Sequence, residues 1–235
     1  MTILVIITLI LGITLLVVWT NWRRAVRADY IRTYTFPSGL FTKLQAKRPE
    51  LTLKDCQLTA HALRQFFLAY LKSGCQFVSM PSQVADDLWH ELILYTRHYD
   101  EFCNKAFGGF MHHTPAVVLG ADKQDNTGLR RIWWYSCLEE NINPRKPTRL
   151  PLLFALDAKL KIGDGFIYTP NCEALRDKRS DHGSGGGTTQ CGGDFSDSSY
   201  DGSTDGFGDS SSGDGGSGGD SGGDSGGGGC GGGGD

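Results

Sequence analysis

The residues best able to do chemistry in this 235-residue chain lie between positions 86 and 113. Asp86 and His90 are four residues apart, so on a helix they share one face. His112 and His113 follow the Gly108-Gly109 pair, where a turn can fold them back toward that face. A carboxylate beside an imidazole either binds a metal with it or fixes the tautomer of the ring. The pattern therefore indicates a polar cluster with the residue types of a metal site.

Zinc and iron are the metals that suit the nitrogen and sulfur donors found here. The candidate ligands are His90, His113, His112 and Cys103, with Asp86 orienting the imidazoles from behind. On a straight helix Cys103 lies about 220° around from His90, so the two meet only if the chain bends. A zincin helix would carry its second His at position 94, which is Leu94, and this excludes the metalloprotease motif.

Two interpretations of the cluster stay open. In the structural one, His90 and His113 are buried imidazoles that hydrogen-bond to Asp86 or to backbone carbonyls. Three aromatic residues then complete the packing, namely Trp89, Tyr99 and Phe102. In the catalytic one, the cluster serves a metal-dependent enzyme, or a thiol-dependent one with Cys103 as nucleophile. We favour the structural interpretation because no standard metal-ligand spacing is present, and the catalytic residues stay unassigned.

Helical periodicity predicts the elements that must position this cluster. Apolar residues recur at three- and four-residue intervals in four segments. The predicted helices cover Leu40 to a stop before Pro49, Thr52 to Gly74, Pro81-Ser82 to Cys103, and Leu129 to Glu140. Between Lys159 and Tyr168 the sequence alternates around Gly163-Asp164-Gly165, which predicts a short β-hairpin. The expected fold class is therefore mainly α, a small helical bundle with one short hairpin.

The N-terminal segment reads as a membrane anchor. Thr2 to Thr20 carry no charge, and about 20 such residues span the roughly 30 Å hydrocarbon core of a bilayer. Basic residues follow the run at positions 23, 24, 27 and 32, and basic residues stay on the cytoplasmic side. The sequence predicts a single-pass protein with its N-terminus outside. A cleaved signal peptide is the alternative, but the segment lacks a basic start and a small-residue cleavage site.

The C-terminal segment has a different composition. After Arg179 the chain holds 24 of its 33 Gly, with ten Asp and no Lys, Arg or Glu. Such a low-complexity segment has too few apolar groups to fold, so we expect an acidic, disordered tail. The predicted organisation is a transmembrane anchor at 1–22, a basic juxtamembrane segment at 23–32, a mainly helical cytoplasmic domain at 33–178 and the tail at 179–235.

Composition excludes several functional classes. Seven Cys, an odd number without C-x-x-C, are typical of a reducing compartment, and Cys56, Cys75 and Cys137 are expected to be small buried residues. Scattered basic residues without interleaved aromatics exclude a nucleic-acid surface. The chain also lacks a Walker A motif and a G-x-S-x-G motif. The expected partners are the membrane and proteins that contact the acidic tail.

Short motifs around the cluster resemble the bacterial members of the glycine-rich domain-containing protein family. The most specific are Asp86-x-x-Trp89-His90 and His112-His113-x-Pro115. The others are Met80-Pro81-Ser82, Tyr99-x-x-Phe102-Cys103, Phe107-Gly108, Leu129 to Trp133, Leu150-Pro-Leu-Leu-Phe154, Asp157 through Gly165 to Tyr168, and Cys172. The resemblance covers about residues 40–175, and the glycine-rich end fits it as well. It implies a shared fold and a shared polar cluster, and it brings no reaction with it.

Together these features predict a membrane-tethered binding or scaffolding module of unknown ligand in the bacterial inner membrane. In that interpretation the His/Asp/Cys cluster is structural more than catalytic. The alternative is a metal- or thiol-dependent enzyme that uses the same cluster.

Overall fold

A computed structural model describes residues 1–113, 127–170, 190–191 and 195 of the chain, and within them the fold is mainly helical. The helices are α1 (Thr2–Thr33), α2 (Leu40–Lys47), α3 (Leu53–Lys72), α4 (Gln83–Ile93), α5 (Thr96–Ala106), α6 (Thr127–Glu139) and α7 (Leu152–Leu160). Two short strands, β1 (Tyr168–Thr169) and β2 (Gln190–Cys191), pair in parallel. The predicted mainly α fold class is confirmed. The tail predicted from residue 179 lies outside the described residues, apart from positions 190, 191 and 195.

Helix α1 is a single rod of 32 residues. Its first 25 side chains are exposed, and the helix is long and apolar enough to cross a membrane or to act as a signal sequence. The hydroxyls of Thr8, Thr14 and Thr20 donate to carbonyls three residues earlier, which satisfies them without water. Near its end, Ala28 and Ile31 are buried in the domain core. The segment 23–32, predicted as a separate juxtamembrane unit, is thus the last third of this rod.

Helix α3 is the centre of the bundle and contacts α1, α2, α4, α6 and α7. It begins with a capping box, in which Thr52 accepts from the Asp55 N–H and the Asp55 carboxylate accepts from the Thr52 N–H. Its Phe66 and Phe67 rings lie 5.1 and 5.9 Å from the Trp89 ring of α4. This aromatic packing fixes α4 on the bundle, and the helix predicted from Thr52 is confirmed.

The long helix predicted from Pro81-Ser82 to Cys103 is wrong, because the chain turns a corner within it. Helix α4 ends at Ile93 and α5 begins at Thr96, with an exposed Leu94 at the corner. The buried residues Leu92 and Tyr99 are seven positions apart, which is close to two full helical turns. The apolar period therefore continues in phase through the corner, and no Gly or Pro marks it.

The predicted hairpin between Lys159 and Tyr168 does not form. Helix α7 continues to Leu160 and stops at Lys161, whose φ of 57° is left-handed. Farther on, the Phe166 N–H donates to the carboxylate of Asp157 at 2.9 Å. Because the Asp157 side chain accepts this backbone N–H, the segment needs no partner strand at Phe166. Strand β1 forms farther along the chain, at Tyr168–Thr169.

Candidate functional site

Asp86, His90 and His113 meet at one point, with one donor atom from each lying within 4.8 Å of the others. His113 Nε2 donates to Asp86 Oδ1 at 2.9 Å. His90 Nδ1 donates to the Asp86 backbone carbonyl at 2.9 Å and lies 3.3 Å from Asp86 Oδ2. The two imidazole centroids are 4.2 Å apart. A single carboxylate therefore contacts both rings, and we call these three residues the Asp–His–His cluster.

The turn after α5 returns the chain to α4. Gly108 has φ +81°, which glycine adopts without strain, and the Arg27 guanidinium occupies the space that a Cβ would need. Glycine is therefore required here both by the backbone conformation and by the close approach of α1. Because the chain reverses at this point, residues 110–113 lie back against α4.

Two hydrogen bonds in series hold the returning chain in place. The Trp89 indole N–H donates to the Tyr99 hydroxyl at 3.1 Å, and that hydroxyl donates to the Met111 carbonyl at 2.6 Å. Burial raises the pKa of Tyr99, which keeps the hydroxyl protonated as this chain of bonds requires. The His113 ring then packs edge-on against Trp89 with centroids 4.6 Å apart. Trp89 and Tyr99 thus position His113 opposite Asp86.

Asp157 of α7 fixes the start of α4. Its buried carboxylate accepts from the Ser82 hydroxyl at 2.7 Å and from the N–H groups of Gln83 and Val84 at 2.7 and 3.2 Å. Negative charge is favourable at a helix N-terminus, where N–H groups lack partners inside the helix. Sequence reasoning missed this role. The available signal was a lone carboxylate in the apolar run that begins at Leu150.

A cavity of about 410 Å³ opens beside the cluster. Its wall is largely apolar, with polar groups gathered on one side. The apolar side includes Phe77, Val78, Met80, Phe110, Met111 and Phe166. The polar side includes all three residues of the Asp–His–His cluster together with Ser82, Gln83 and His112. The rings of Phe77, Phe110 and Phe166 are each more than 40% exposed, so aromatic surface reaches the cavity mouth.

One edge of the cavity lies close to α1. Cys75, predicted as a buried core residue, is only half-buried and lines the cavity, and its φ of 59° is left-handed. The helix stop at Gly74 places Cys75 there, three residues past the end of α3. Burial raises the pKa of the Cys75 thiol, while the positive charges of Arg27 and Arg24 act to lower it. Two basic residues of α1 thus act electrostatically on this edge.

A family model, described as UCP032817-like, matches residues 26–195, which is well over half of the chain. The chain belongs to the UCP032817-like family. The matched region begins inside α1 and contains the whole Asp–His–His cluster, Asp157 and the cavity wall. No curated protein and no solved structure gives a significant match to the sequence.

In this UCP032817-like chain the structure brings together two of the four predicted metal ligands. His90 and His113 join Asp86, whereas His112 is exposed and its ring packs 4.8 Å from that of Phe110. Cys103 is completely buried in the core, outside the three-residue group. Burial raises the pKa of its thiol, so it is held in the neutral form. Phe102 is likewise buried, with its ring 4.9 Å from Phe67.

Asp87, the next residue along α4, has a different environment. Its buried carboxylate pairs with Lys47 at 2.6 Å and with Arg48 at 2.8 Å. Arg48 also donates to Asp164, which follows α7, at 2.7 Å. Asp87 and Arg48 thus join α2, α4 and the segment after α7 through matched charges, and this network holds α4 on a neighbouring face, about 100° around the helix from Asp86.

Proposed function

We propose that this UCP032817-like protein is a membrane-tethered binding module that holds a small amphipathic ligand in the cavity beside the Asp–His–His cluster. The observation that carries the proposal is the cavity itself. Its volume of about 410 Å³ falls in the range of small-molecule sites. Such sites combine a mostly apolar wall with a few convergent polar groups, which is the arrangement found here.

The cavity wall favours a ligand with an apolar body and an acidic end. Phe77, Met80 and Phe110 offer apolar contact for the body of the ligand. The imidazoles on the polar side supply hydrogen-bonding groups. Arg24 and Arg27 act electrostatically on the cavity edge at Cys75 and favour a negative charge there. A carboxylic acid with a hydrocarbon chain fits this combination.

The proposed tether is the apolar half of α1, inserted in the bacterial inner membrane with the N-terminus outside and the domain in the cytoplasm. Support comes from the length and composition of the helix and from the arginines that follow it. Arg27 contacts Gly108 near the cavity and lies five residues, about 8 Å, beyond Trp22 at the end of the apolar run. A ligand that leaves the adjacent leaflet would reach the cavity over a short distance.

We also propose that the acidic tail, residues 179–235, recruits protein partners, in keeping with the scaffolding role. Its ten Asp residues after Arg179 give it the charge to contact basic surfaces. The competing function is a metal- or thiol-dependent enzyme, and its thiol-dependent form gains no support, because Cys103 is buried and its raised pKa disfavours the thiolate. Deletion of residues 196–235, which keeps β2 and the buried Phe195, is expected to abolish partner binding while leaving ligand binding in the cavity intact.

Photo-crosslinking tests the ligand proposal. The full chain in lipid nanodiscs is incubated with a diazirine-bearing fatty acid, irradiated, and digested for mass spectrometry. We expect adducts on the cavity peptides around Phe77 and Phe110. Val78→Trp fills part of the cavity and should reduce these adducts severalfold, whereas Leu94→Trp, at the exposed corner, should leave them unchanged. Adducts confined to the apolar half of α1, or equal labelling in both variants, would refute the proposal.

A further inference from the structure

We propose that Asp86, His90 and His113 form an open site for a divalent first-row transition metal, with Zn²⁺ and Fe²⁺ as the candidate ions. Two imidazoles and one carboxylate are a ligand set that both ions accept. This inference goes beyond the proposed function, because the ion would bind to these three side chains whether or not the cavity holds an organic ligand.

The two distances between the carboxylate and the imidazoles suit a shared ion, and all three donor atoms lie within 4.8 Å of one another. Ligands about 2.0 to 2.1 Å from a metal are separated from one another by about 2.9 Å at right angles and about 3.4 Å in a tetrahedron. His113 Nε2 lies 2.9 Å from Asp86 Oδ1, and His90 Nδ1 lies 3.3 Å from Asp86 Oδ2. Small side-chain rotations would therefore place an ion between the carboxylate and both rings. The ion would replace the protons that now bridge these atoms.

The charge balance at Asp86 differs from that at its neighbour. Asp87 is neutralised by two cations, Lys47 and Arg48, as expected of a buried structural carboxylate. Among the described residues, the ion-pair partners of Asp86 are the two histidines. An imidazole compensates a carboxylate charge only when it is protonated, whereas a divalent cation always carries the compensating charge. Adjacent residues of one helix thus serve different purposes, and the carboxylate beside the cavity keeps its charge available for a metal.

The site has the openness of a functional metal centre. Side-chain exposure is 46% for His90, 22% for Asp86 and 14% for His113, and all three line the cavity. Structural zinc sites are closed by four protein ligands, whereas three ligands leave at least one coordination position free. That free position would face the cavity, where the acidic end of the proposed ligand could bind to the ion.

Metal analysis of the full chain in detergent tests this proposal with Zn²⁺ alone as the probe. The protein is stripped with chelator, reloaded with Zn²⁺, desalted and analysed for bound metal, and its affinity is measured by competition with a chromophoric chelator. We expect close to one equivalent in the wild type. Loss of a residue that merely orients a ligand already weakens metal binding by about 10- to 100-fold. His90→Ala, His113→Ala and Asp86→Asn, which remove a ligand, should therefore each weaken it by about 100-fold or more.

Two histidines provide matched controls. His98→Ala changes an exposed histidine on α5, and His61→Ala changes an exposed histidine on α3, and neither lines the cavity. Both should bind Zn²⁺ like the wild type. Substoichiometric binding by the wild type, equal binding by all variants, or retention of affinity in His90→Ala or His113→Ala would each overturn the proposal. Thermal unfolding of every variant excludes misfolding, and His90→Ala, at a largely exposed position, is the change the fold tolerates best.

Cobalt substitution supplies an independent measurement of the ligand set. Co²⁺ held by two imidazoles and a carboxylate lacks the charge-transfer band of a thiolate complex, so that band would refute the assignment and implicate a cysteine. Failure of the metal proposal is distinguishable from failure of the proposed function. Val78→Trp should reduce fatty-acid crosslinking while keeping Zn²⁺, and Asp86→Asn should lose Zn²⁺ while the cavity wall at Phe77 and Phe110 still reacts with the probe.

Discussion

The side chain of Asp157 packs directly against the α-carbon of Gly165. A Cβ at position 165 would lie 2.6 Å from the Asp157 Cβ and 3.0 Å from its carboxyl carbon. The same carboxylate holds the start of α4 through Ser82 and receives the N–H of Phe166. Because Gly165 has no side chain, the loop after α7 can approach the Asp157 carboxylate. That carboxylate in turn positions the Asp–His–His cluster.

Gly165→Ala is expected to destabilise the protein by about 1 to 3 kcal/mol, because the new methyl group overlaps Asp157 and must push the loop away. Thermal unfolding followed by circular dichroism measures the effect. Gly163→Ala, two residues earlier, is the matched control, since a Cβ there meets nothing within 4 Å. Equal stability of the two variants would show that the loop does not depend on this contact.

Asp157→Asn should also destabilise the fold, by about 2 to 4 kcal/mol. The substitution removes a charge that accepts hydrogen bonds from Ser82, Gln83, Val84 and Phe166, and it aims an amide N–H₂ group at N–H donors. Denaturant titration of the full chain in detergent gives the free energy of unfolding. Asp100→Asn, at an exposed position, should change it by no more than about 0.5 kcal/mol. An Asp157→Asn variant as stable as the control would contradict the assigned role.

Cys103 is expected to react slowly with iodoacetamide in the native protein at neutral pH. Its side chain is buried, and burial raises the pKa of its thiol, so both access and thiolate content are low. Mass spectrometry of timed samples should show alkylation of Cys103 only after denaturation, whereas the half-buried Cys75 should react earlier. Rapid modification of Cys103 would revive the thiol-dependent enzyme.

Alkaline pH should lower the stability of the fold through Cys137. Burial, aided by the charge of Glu140, raises the pKa of this thiol from 9.0 to about 12. The folded state then holds a proton that the unfolded state releases, so the stabilisation is complete below pH 9 and declines as the pH rises toward 12. Between about pH 8 and about pH 10.5 the wild type should lose about 2 kcal/mol relative to Cys137→Ala. Parallel pH profiles for the two proteins would contradict this linkage.

Membrane orientation can be read from thiol accessibility in intact bacteria. A cysteine inserted after Met1 should be labelled by a membrane-impermeant maleimide, and one added after Asp235 should be labelled only after permeabilisation. The arginines that follow the apolar run motivate this expectation. The reverse labelling pattern would place the domain outside, and a mature chain that has lost Met1 to Thr20 would show that the segment is a cleaved signal peptide.

The sequence predicts well what depends on local periodicity. The start of α3 at its capping box, the location of α6 and the mainly helical class follow from apolar spacing and cap residues. The corner at Leu94 was not predictable, because the apolar stripe keeps its phase from Leu92 to Tyr99. The hairpin prediction failed for a related reason, since the Phe166 N–H donates instead to a carboxylate nine residues away.

The candidate site, like the fold, could be predicted only where it depends on local spacing. The i, i+4 spacing anticipated the proximity of Asp86 and His90, and the glycine pair anticipated the return of His113. Which of the two adjacent histidines faces Asp86 depends on bonds between distant segments, above all the one from Tyr99 to Met111. Spacing alone cannot separate His112 from His113, or show that Cys103 belongs to the core. The resemblance to glycine-rich domain-containing proteins stays a prediction.

The unbroken course of α1 has a mechanical consequence. A helix of 32 residues is about 48 Å long, and its final turns pack on the domain through the buried Ala28 and Ile31, without an intervening hinge. The orientation of the apolar half of α1 therefore also sets the orientation of the globular domain. A tilt or rotation of α1 would move the cavity mouth with it, so a lateral force on the N-terminal half of the helix is transmitted to the domain.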